Sequence, residues 1–262
     1  MKQIPLFRRL GTALIASLLL LPPRAGAQDI IIGVIAGLSG PGASYGAGIV
    51  QGAEMAAREI NAAGGINGRR IKLRIVDDKS EPARSAIVMR RLLSTSPDMI
   101  IGGWGSAQVL AHIDLAEQSA TPYIVVGATH PDLTNRTRKW AFRVIQTDTV
   151  MAEQIARLAA TRLKLKRIAI YHDANAYGAG NRDLFVAALK SHGLSPLQIQ
   201  SYSSSTSEFR EQLMRTRTLQ PDAIAIFGTV PAAPRIMRQA RELGIKARFL
   251  GLGGLDNGEL LQ

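Results

Sequence analysis

The 262-residue sequence contains no cysteine, so disulfide bridges, thiolate metal sites and cysteine nucleophiles are excluded. Aromatic residues make up only 5% of the chain. Lysine and arginine outnumber acidic residues by 32 to 20, which raises the question of a nucleic-acid partner. However, the basic residues are scattered and are not interleaved with aromatic ones. We interpret them as a solvated basic surface and predict no nucleic-acid partner.

The sequence also lacks the short motifs of several enzyme classes. It has no G-x-x-x-x-G-K-[ST] phosphate loop, and no G-x-G-x-x-G follows the first strand. A nucleophile elbow around Ser106 would need glycine two residues to either side, where Trp104 and Gln108 stand. We therefore predict that the protein is not an enzyme.

Metal-binding patterns are missing as well. Four histidines lack metal-ligand spacing, and we expect each to be a surface or turn residue: His112, His130, His172 and His192. The pair Asp77-Asp78 would suit a metal, but we interpret it as a turn at the end of a strand. We predict no metal and no cofactor.

Residues 1–27 have the pattern of an export signal. Basic residues at positions 2, 8 and 9 precede the apolar run Leu10–Leu21, and Ala25-Gly26-Ala27 offers a cleavage site. The apolar run is short for a membrane span, although an uncleaved anchor is the alternative interpretation. We therefore leave residues 1–27 out of the fold prediction.

The rest of the chain reads as two α/β units. Residues 28–146 alternate β-α-β-α-β-α-β, and the pattern restarts over residues 147–250. Such alternation predicts two doubly wound α/β lobes with parallel sheets, facing each other across a cleft that a hinge could close. We predict loops at residues 37–48 and 173–180, and a serine turn at residues 203–207 that caps the next helix.

The stretch from Asp98 to Thr134 predicts a strand, a glycine-rich turn, a helix with Ser106 as its N-cap and a second strand ending at Gly127-Ala128-Thr129. Consecutive parallel strands carry their C-terminal loops on one edge, which is where open α/β sheets bind ligands. Ser106 and Thr129 should therefore be neighbours, with hydroxyls and backbone N–H groups suited to a small anion. The alternative is that both residues are only caps and turn residues.

Several motifs, taken together, resemble the leucine/isoleucine/valine-binding type of periplasmic substrate-binding protein of ABC transporters. The resemblance covers essentially the whole chain after residue 27. The matching positions are Ser39-Gly40-Pro41, Tyr45-Gly46, Glu59-Ile60-Asn61, Gly64-Gly65-Ile66-Asn67-Gly68, Asp77-Asp78, Gly105-Ser106, Pro122, Gly127-Ala128-Thr129, Pro131-Asp132-Leu133-Thr134, Phe142-Arg143, Tyr177-Gly178 and Gly251.

This resemblance implies a type I periplasmic-binding-protein-like fold. The protein would be a periplasmic monomer without a cofactor that closes on a small amino acid or a related acid or amide, and then docks on an inner-membrane permease. By position, Ser106 would bind the ligand carboxylate, and the backbone of Gly127 or Ala128 with the Thr129 side chain would hold its carboxylate and amine. Tyr177 would act from the second lobe, and Tyr45 would line the side-chain pocket.

The sequence departs from that family at three places. The acid that pairs with a ligand ammonium is replaced by Gly253, with Asp256 nearby, and an aromatic position holds Thr229, which we include among the candidate site residues. The family normally continues well beyond Gln262, so residues 251–262 should begin a return crossing that is incomplete here. The alternatives to transport are a ligand-sensing receptor with the same fold or a non-functional fragment. The sequence does not name the ligand.

Overall fold

The computed structural model describes residues 28–230 and 232–255. The predictions for residues 1–27 and for Asp256 lie outside these ranges. Nine strands are described: β1 (Ile30–Ala36), β2 (Ile71–Asp77), β3 (Met99–Gly102), β4 (Tyr123–Val125), β5 (Ala141–Arg143), β6 (Ile168–Asp173), β7 (Gln198–Tyr202), β8 (Ala223–Phe227) and β9 (Arg248–Gly251). Seven α-helices alternate with them: α1 (Ala43–Ala62), α2 (Pro82–Leu93), α3 (Ser106–Gln118), α4 (Asp148–Arg157), α5 (Ala176–Ser191), α6 (Arg210–Thr218) and α7 (Ala232–Glu242).

The strands form two separate parallel sheets, as the alternating pattern predicts. The first sheet has the order β2-β1-β3-β4-β5, and the second has the order β7-β6-β8-β9. In each sheet the second strand in the chain pairs with one side of the first strand, and the third strand pairs with its other side. This reversal is the switch point at which doubly wound sheets open a crevice at their carboxyl edge.

The two central strands of the second sheet are buried on both faces. Every residue of β6 and β8 is buried, which matches their continuous apolar sequences. Along β6, Ile168 and Ile170 pack into one apolar cluster, while Ala169 and Tyr171 pack into another on the opposite face. In the first sheet, residues of β3 and β4 pack against α2 and α3 in a third cluster. The two sheets therefore provide firm supports for the loops at their carboxyl ends.

Two helices begin earlier than the sequence analysis predicted. α1 begins at Ala43, inside the predicted loop 37–48, and α5 begins at Ala176, inside the predicted loop 173–180. Glycine is the reason in α1: a Cβ at Gly46 would lie 2.0 Å from the carbonyl oxygen of Gly37, so only glycine lets the first turn pack this closely. In α5, the Asn175 side chain accepts a hydrogen bond from the backbone N–H of Gly178 at 2.9 Å and caps the helix.

The predicted serine cap of α6 is also wrong. The residue before the helix is Phe209, whose side chain forms no capping hydrogen bond and is buried instead. The backbone N–H of Phe209 donates to the Gln239 side chain at 2.7 Å, so α7 anchors the start of α6. Within residues 28–230 and 232–255, no helix is both long and apolar enough to cross a bilayer.

Candidate functional site

A cleft of about 720 Å³ lies at the carboxyl edges of both sheets. Its volume falls in the range typical of small-molecule sites. The lining residues follow the ends of β1, β3, β4, β6, β8 and β9, and others come from α1. They include the candidate site residues Tyr45, Ser106, Gly127, Thr129, Tyr177 and Thr229. The exception is Ala128, which is buried in the core of the first sheet.

Two buried hydroxyls form the polar corner of this cleft. Ser106 is 1% exposed and Thr129 is 5% exposed, and both line the cleft. Neither Ser106 Oγ nor Thr129 Oγ1 forms a hydrogen bond with the described residues. Buried polar atoms are nearly always paired, so the Ser106 hydroxyl is available to a bound molecule, whereas the Thr129 hydroxyl lies near the Asp148 carboxylate and lowers its pKa.

Ser106 does not cap the helix, which corrects the sequence prediction. The N-cap of α3 is Gly105, and Ser106 is the first helical residue. Backbone N–H groups in the first turn of a helix have no intrahelical acceptor, and the helix dipole adds positive potential there. The Ser106 hydroxyl therefore stands beside a set of donors that favour an anion.

Two glycines place α3 at this position. A Cβ at Gly102 would lie 2.1 Å from the carbonyl oxygen of Ile35, and a Cβ at Gly103 would lie 2.2 Å from the Tyr123 hydroxyl. Both glycines also have positive φ angles, of 124° and 76°. Larger residues would push the turn away from β1 and β4 and displace Ser106.

The loop after β4 requires a second correction. The backbone N–H groups of Gly127 and Ala128 both donate to the carbonyl oxygen of Gly103 at 3.1 Å, so they are not available to a ligand. The close approach depends on glycine, since a Cβ at Gly127 would lie 3.0 Å from Cα of Trp104. From this loop, Gly127 and Thr129 line the cleft.

An aromatic pair forms another part of the wall. The rings of Tyr45 and Trp104 are stacked, with centroids 4.4 Å apart and an interplanar angle of 19°. Tyr45 was a candidate from the sequence, but Trp104 was not. The sequence could have indicated Trp104 as a site residue, because it directly follows Gly102-Gly103 at the carboxyl end of a buried strand.

The two candidate tyrosines meet at one glycine. The Tyr45 hydroxyl donates to the Gly254 carbonyl oxygen at 3.0 Å, and the Gly254 N–H donates to the Tyr177 hydroxyl oxygen at 3.0 Å. Burial raises the pKa of Tyr177, so its hydroxyl is neutral. Because Tyr45 lies on α1 and Gly254 follows β9, these contacts join the two sheets across the cleft. We call this set of contacts the Gly254 clasp.

Asp148, at the start of α4, lies close to two residues that line the cleft, Thr129 and Tyr177. It is fully buried, and neither carboxylate oxygen forms a hydrogen bond with the described residues. Burial raises the pKa of Asp148, while nearby Thr129, Asn181 and the charges of His130 and Arg143 lower it. Its backbone N–H donates to the carbonyl oxygen of Thr129 at 2.9 Å. Asp148 therefore fixes the loop that presents Thr129, and sequence reasoning missed it.

Two histidines lie in the interior, contrary to the prediction that all four are surface or turn residues. His112 is 1% exposed and His172 is 4% exposed. His112 Nδ1 lies 2.7 Å from Ser85 Oγ, which donates to Asp78 at 2.9 Å, and His112 Nε2 lies 3.1 Å from the Tyr123 hydroxyl. We call Asp78, Ser85, His112 and Tyr123 the buried polar chain. It ties α2 and α3 to strands β2 and β4 beneath the cleft.

The aspartate pair holds loops together. Asp77 accepts hydrogen bonds from the backbone N–H groups of Leu38 and Lys79 and from Ser39 Oγ. These contacts lower the pKa of Asp77 against the opposing effect of burial. The described residues contain no group of three histidine, aspartate or glutamate side chains arranged to hold a metal ion.

Comparisons with known proteins agree with this geometry. A family model described as "Periplasmic binding protein" matches residues 29–261. The chain is 30% identical over 235 residues to a Leu/Ile/Val-binding protein homolog 3 of Brucella melitensis, covering 90% of this chain and 64% of that protein. It is also 30% identical over 249 residues to the Leu/Ile/Val-binding protein of Escherichia coli K12, covering 94% of this chain and 68% of that protein.

Solved structures give the same result. A leucine-binding protein of Thermotoga maritima matches with a TM-score of 0.83 and 28% identity, over 88% of this chain and 65% of that chain. A branched-chain amino acid transporter substrate-binding protein of Streptococcus pneumoniae, in complex with isoleucine, matches with a TM-score of 0.83 and 29% identity, over 89% and 67%. The chain thus spans about two thirds of the length of these relatives.

Proposed function

Because the chain belongs to the periplasmic binding protein family, we propose that it is the solute-binding component of an ABC importer. It binds a small amino acid or a related acid or amide in the cleft between residues 28–146 and residues 147–250. The loaded protein then delivers the solute to a permease in the inner membrane. Residues 1–27 act as its cleaved export signal, and it works in the periplasm as a monomer.

The observation that carries the proposal is the pair of buried hydroxyls on the cleft wall. Ser106 and Thr129 both line the cleft at the carboxyl edge of the first sheet, and Ser106 is the first residue of α3. A carboxylate or amide oxygen of the solute would satisfy both, and the helix terminus would favour a negative charge.

Closure requires contacts from both sides of the cleft. The first sheet presents Ser106 and Thr129, and α5 presents Tyr177. A solute that is first held by the first sheet would shift the population toward the closed form, in which the Gly254 clasp joins the two sides. Binding is non-covalent and needs no cofactor.

The test measures solute binding in two hydroxyl variants. Thermal unfolding against a panel of amino acids, amides and small carboxylates identifies the solute, since a ligand at 100 times its Kd adds about 2.7 kcal/mol of stability. Ser106→Ala and Thr129→Ala should each weaken its binding by about 1–3 kcal/mol, because each loses a hydrogen bond to a charged or polar group.

Ser94→Ala is the matched control. Ser94 lies on an exposed surface, where its hydroxyl bonds only to the carbonyl oxygen of Arg91. The Ser94→Ala variant should therefore bind the solute with the same affinity as the unchanged protein. Full affinity in both Ser106→Ala and Thr129→Ala would remove these hydroxyls from the site. A protein that unfolds cooperatively but is shifted by no compound would refute solute binding by this cleft.

A further inference from the structure

A second concavity, of about 690 Å³, lies at the edge of the second sheet opposite the cleft. Three turns contribute to its lining, at residues 163–165, 220–222 and 244–247, and they directly precede β6, β8 and β9. Because these strands are parallel, the three turns meet at the amino edge of the sheet, whereas the cleft lies at the carboxyl edge. A solute in the cleft therefore does not occupy this concavity.

Basic side chains dominate the lining of this concavity, which we call the basic pocket. Its one acidic lining residue is Asp222, and its basic lining residues are all exposed: Lys164, Arg217, Lys246 and Arg248. None of these four forms an ion pair with the residues that the structure describes. By contrast, Arg210 and Arg215 on α6 pair with glutamates. The lining therefore has a net charge of +3 that the described side chains leave unbalanced.

Asp222 uses its carboxylate for the backbone and not for these basic side chains. Its Oδ2 atom accepts hydrogen bonds from the backbone N–H groups of Lys166 at 2.9 Å and Arg167 at 3.0 Å. These bonds hold the turn before β8 against the chain that leads into β6. The acid is thus committed to the architecture of the basic pocket, and its presence does not explain the four basic side chains.

Helix ends do not explain them either. Helices end at this edge of the sheet, and their last carbonyl groups carry a partial negative charge that favours basic residues nearby. Two other arginines already meet these carbonyls. Arg167 Nε donates to the carbonyl oxygen of Gln220 at 3.1 Å, and Arg241 Nη1 donates to those of Ile245 at 2.6 Å and Ala247 at 2.9 Å. The basic lining residues are therefore additional to the arginines that stabilise the turns.

We propose that the basic pocket binds an anion with two linked phosphate groups. A phosphate monoester carries a charge of about −1.5 to −2 near pH 7, so one group leaves part of the +3 unbalanced. Two linked groups balance it. The guanidinium groups of Arg217 and Arg248 suit bidentate contacts with phosphate oxygens, and Lys164 and Lys246 add point charges. Both free diphosphate anions and lipid headgroups with two phosphates have this chemistry.

The first experiment titrates the purified protein with pyrophosphate and with orthophosphate by calorimetry at low salt. Pyrophosphate should bind at least about tenfold more tightly, because it engages more of the basic side chains at once. The double variant Lys246→Gln/Arg248→Gln should weaken pyrophosphate binding by at least about tenfold. Both replaced side chains are exposed, and cooperative thermal unfolding of the variant checks that its fold is intact.

A second double variant, Arg91→Gln/Lys190→Gln, is the matched control. It removes the same charge from exposed positions outside the basic pocket, and it should change pyrophosphate affinity by less than about twofold. Equal losses in the two double variants would overturn the proposal, because the overall charge of the protein would then account for binding. Solute binding in the cleft should be the same in both variants, so failure of this inference and failure of the proposed function are distinguishable.

The second experiment distinguishes the two sources of the anion. Phosphatidylcholine vesicles that contain cardiolipin, whose headgroup has two phosphates joined by glycerol, are compared with vesicles of equal charge that contain phosphatidylglycerol. Stronger retention on cardiolipin, lost in Lys246→Gln/Arg248→Gln, would support the proposal with a lipid as the source. Binding of pyrophosphate without this retention would support it with a free anion as the source. Binding of neither would overturn it.

Discussion

Lowering the pH from 7 to 5 should destabilise the first sheet through His112. Burial lowers the pKa of His112 from 6.5 to about 3 in the folded protein. The unfolded chain binds a proton at this side chain near pH 6.5, whereas the folded protein does not until about pH 3. Between these values the unfolded state holds more protons, so stability falls as the pH falls.

The size of the effect follows from the two pKa values. At pH 5 the unfolded side chain is almost fully protonated and the folded one is almost fully neutral. The free energy of unfolding is therefore about 2 kcal/mol lower at pH 5 than at pH 7. Each further pH unit, down to about pH 3, lowers it by about 1.4 kcal/mol more. Burial penalises the charged imidazolium at this position, and the two groups that contact His112, the hydroxyls of Ser85 and Tyr123, are neutral.

Urea unfolding followed by tryptophan fluorescence measures this loss. The chain has two tryptophans, Trp104 and Trp140, and both lie among the residues of the first sheet. His112→Asn is the comparison, because asparagine does not titrate. Burial raises the pKa of Asp78, which works in the opposite sense, so the His112 contribution is the difference between the two proteins. The reasoning would be refuted if both proteins lost the same stability between pH 7 and pH 5.

Two further predictions concern the cleft wall and its closure. Gly46→Ala should lower the free energy of unfolding, measured in urea melts, by about 1–3 kcal/mol, because the added Cβ would lie 2.0 Å from a backbone oxygen. Gly48→Ala is the control and should be neutral or stabilising, because its added Cβ would meet nothing within 4 Å. Similar losses in both would contradict the packing argument. Tyr177→Phe should weaken solute binding by about 1 kcal/mol in calorimetry, because the Gly254 N–H loses its acceptor. Tyr171→Phe, whose hydroxyl meets Thr216 away from the cleft, should leave affinity unchanged, and equal effects of the two would argue against the clasp.

The repeating pattern of strands and helices was enough to predict both parallel sheets. Continuous apolar runs such as Ile168–Tyr171 and Ala223–Phe227 are buried on both faces, and this burial is visible in the sequence itself. The helix starts were harder to predict. Around Gly46 and Gly178, glycine lowers helix propensity but is required by a close backbone contact, and that contact depends on the folded neighbour.

Topology alone was enough to predict that Ser106 and Thr129 lie at the same edge of the first sheet. The carboxyl edge brings Ser106 and Thr129 to the same cleft. The sequence analysis was wrong where the hydrogen-bond partner of a group is remote in sequence. The N–H groups of Gly127 and Ala128 are taken by Gly103, and the burial of His112 depends on Ser85, none of which a local pattern reveals.

The Gly254 clasp consists only of protein groups: two tyrosine hydroxyls and the backbone N–H and carbonyl groups of one glycine. Its contribution to closure is therefore the same for every solute that fits, and it cannot discriminate between them. We expect solute selectivity to depend on other residues that line the cleft, such as Trp104. Under the proposed function, a change of a few wall side chains could therefore exchange one solute for another while the clasp stays the same.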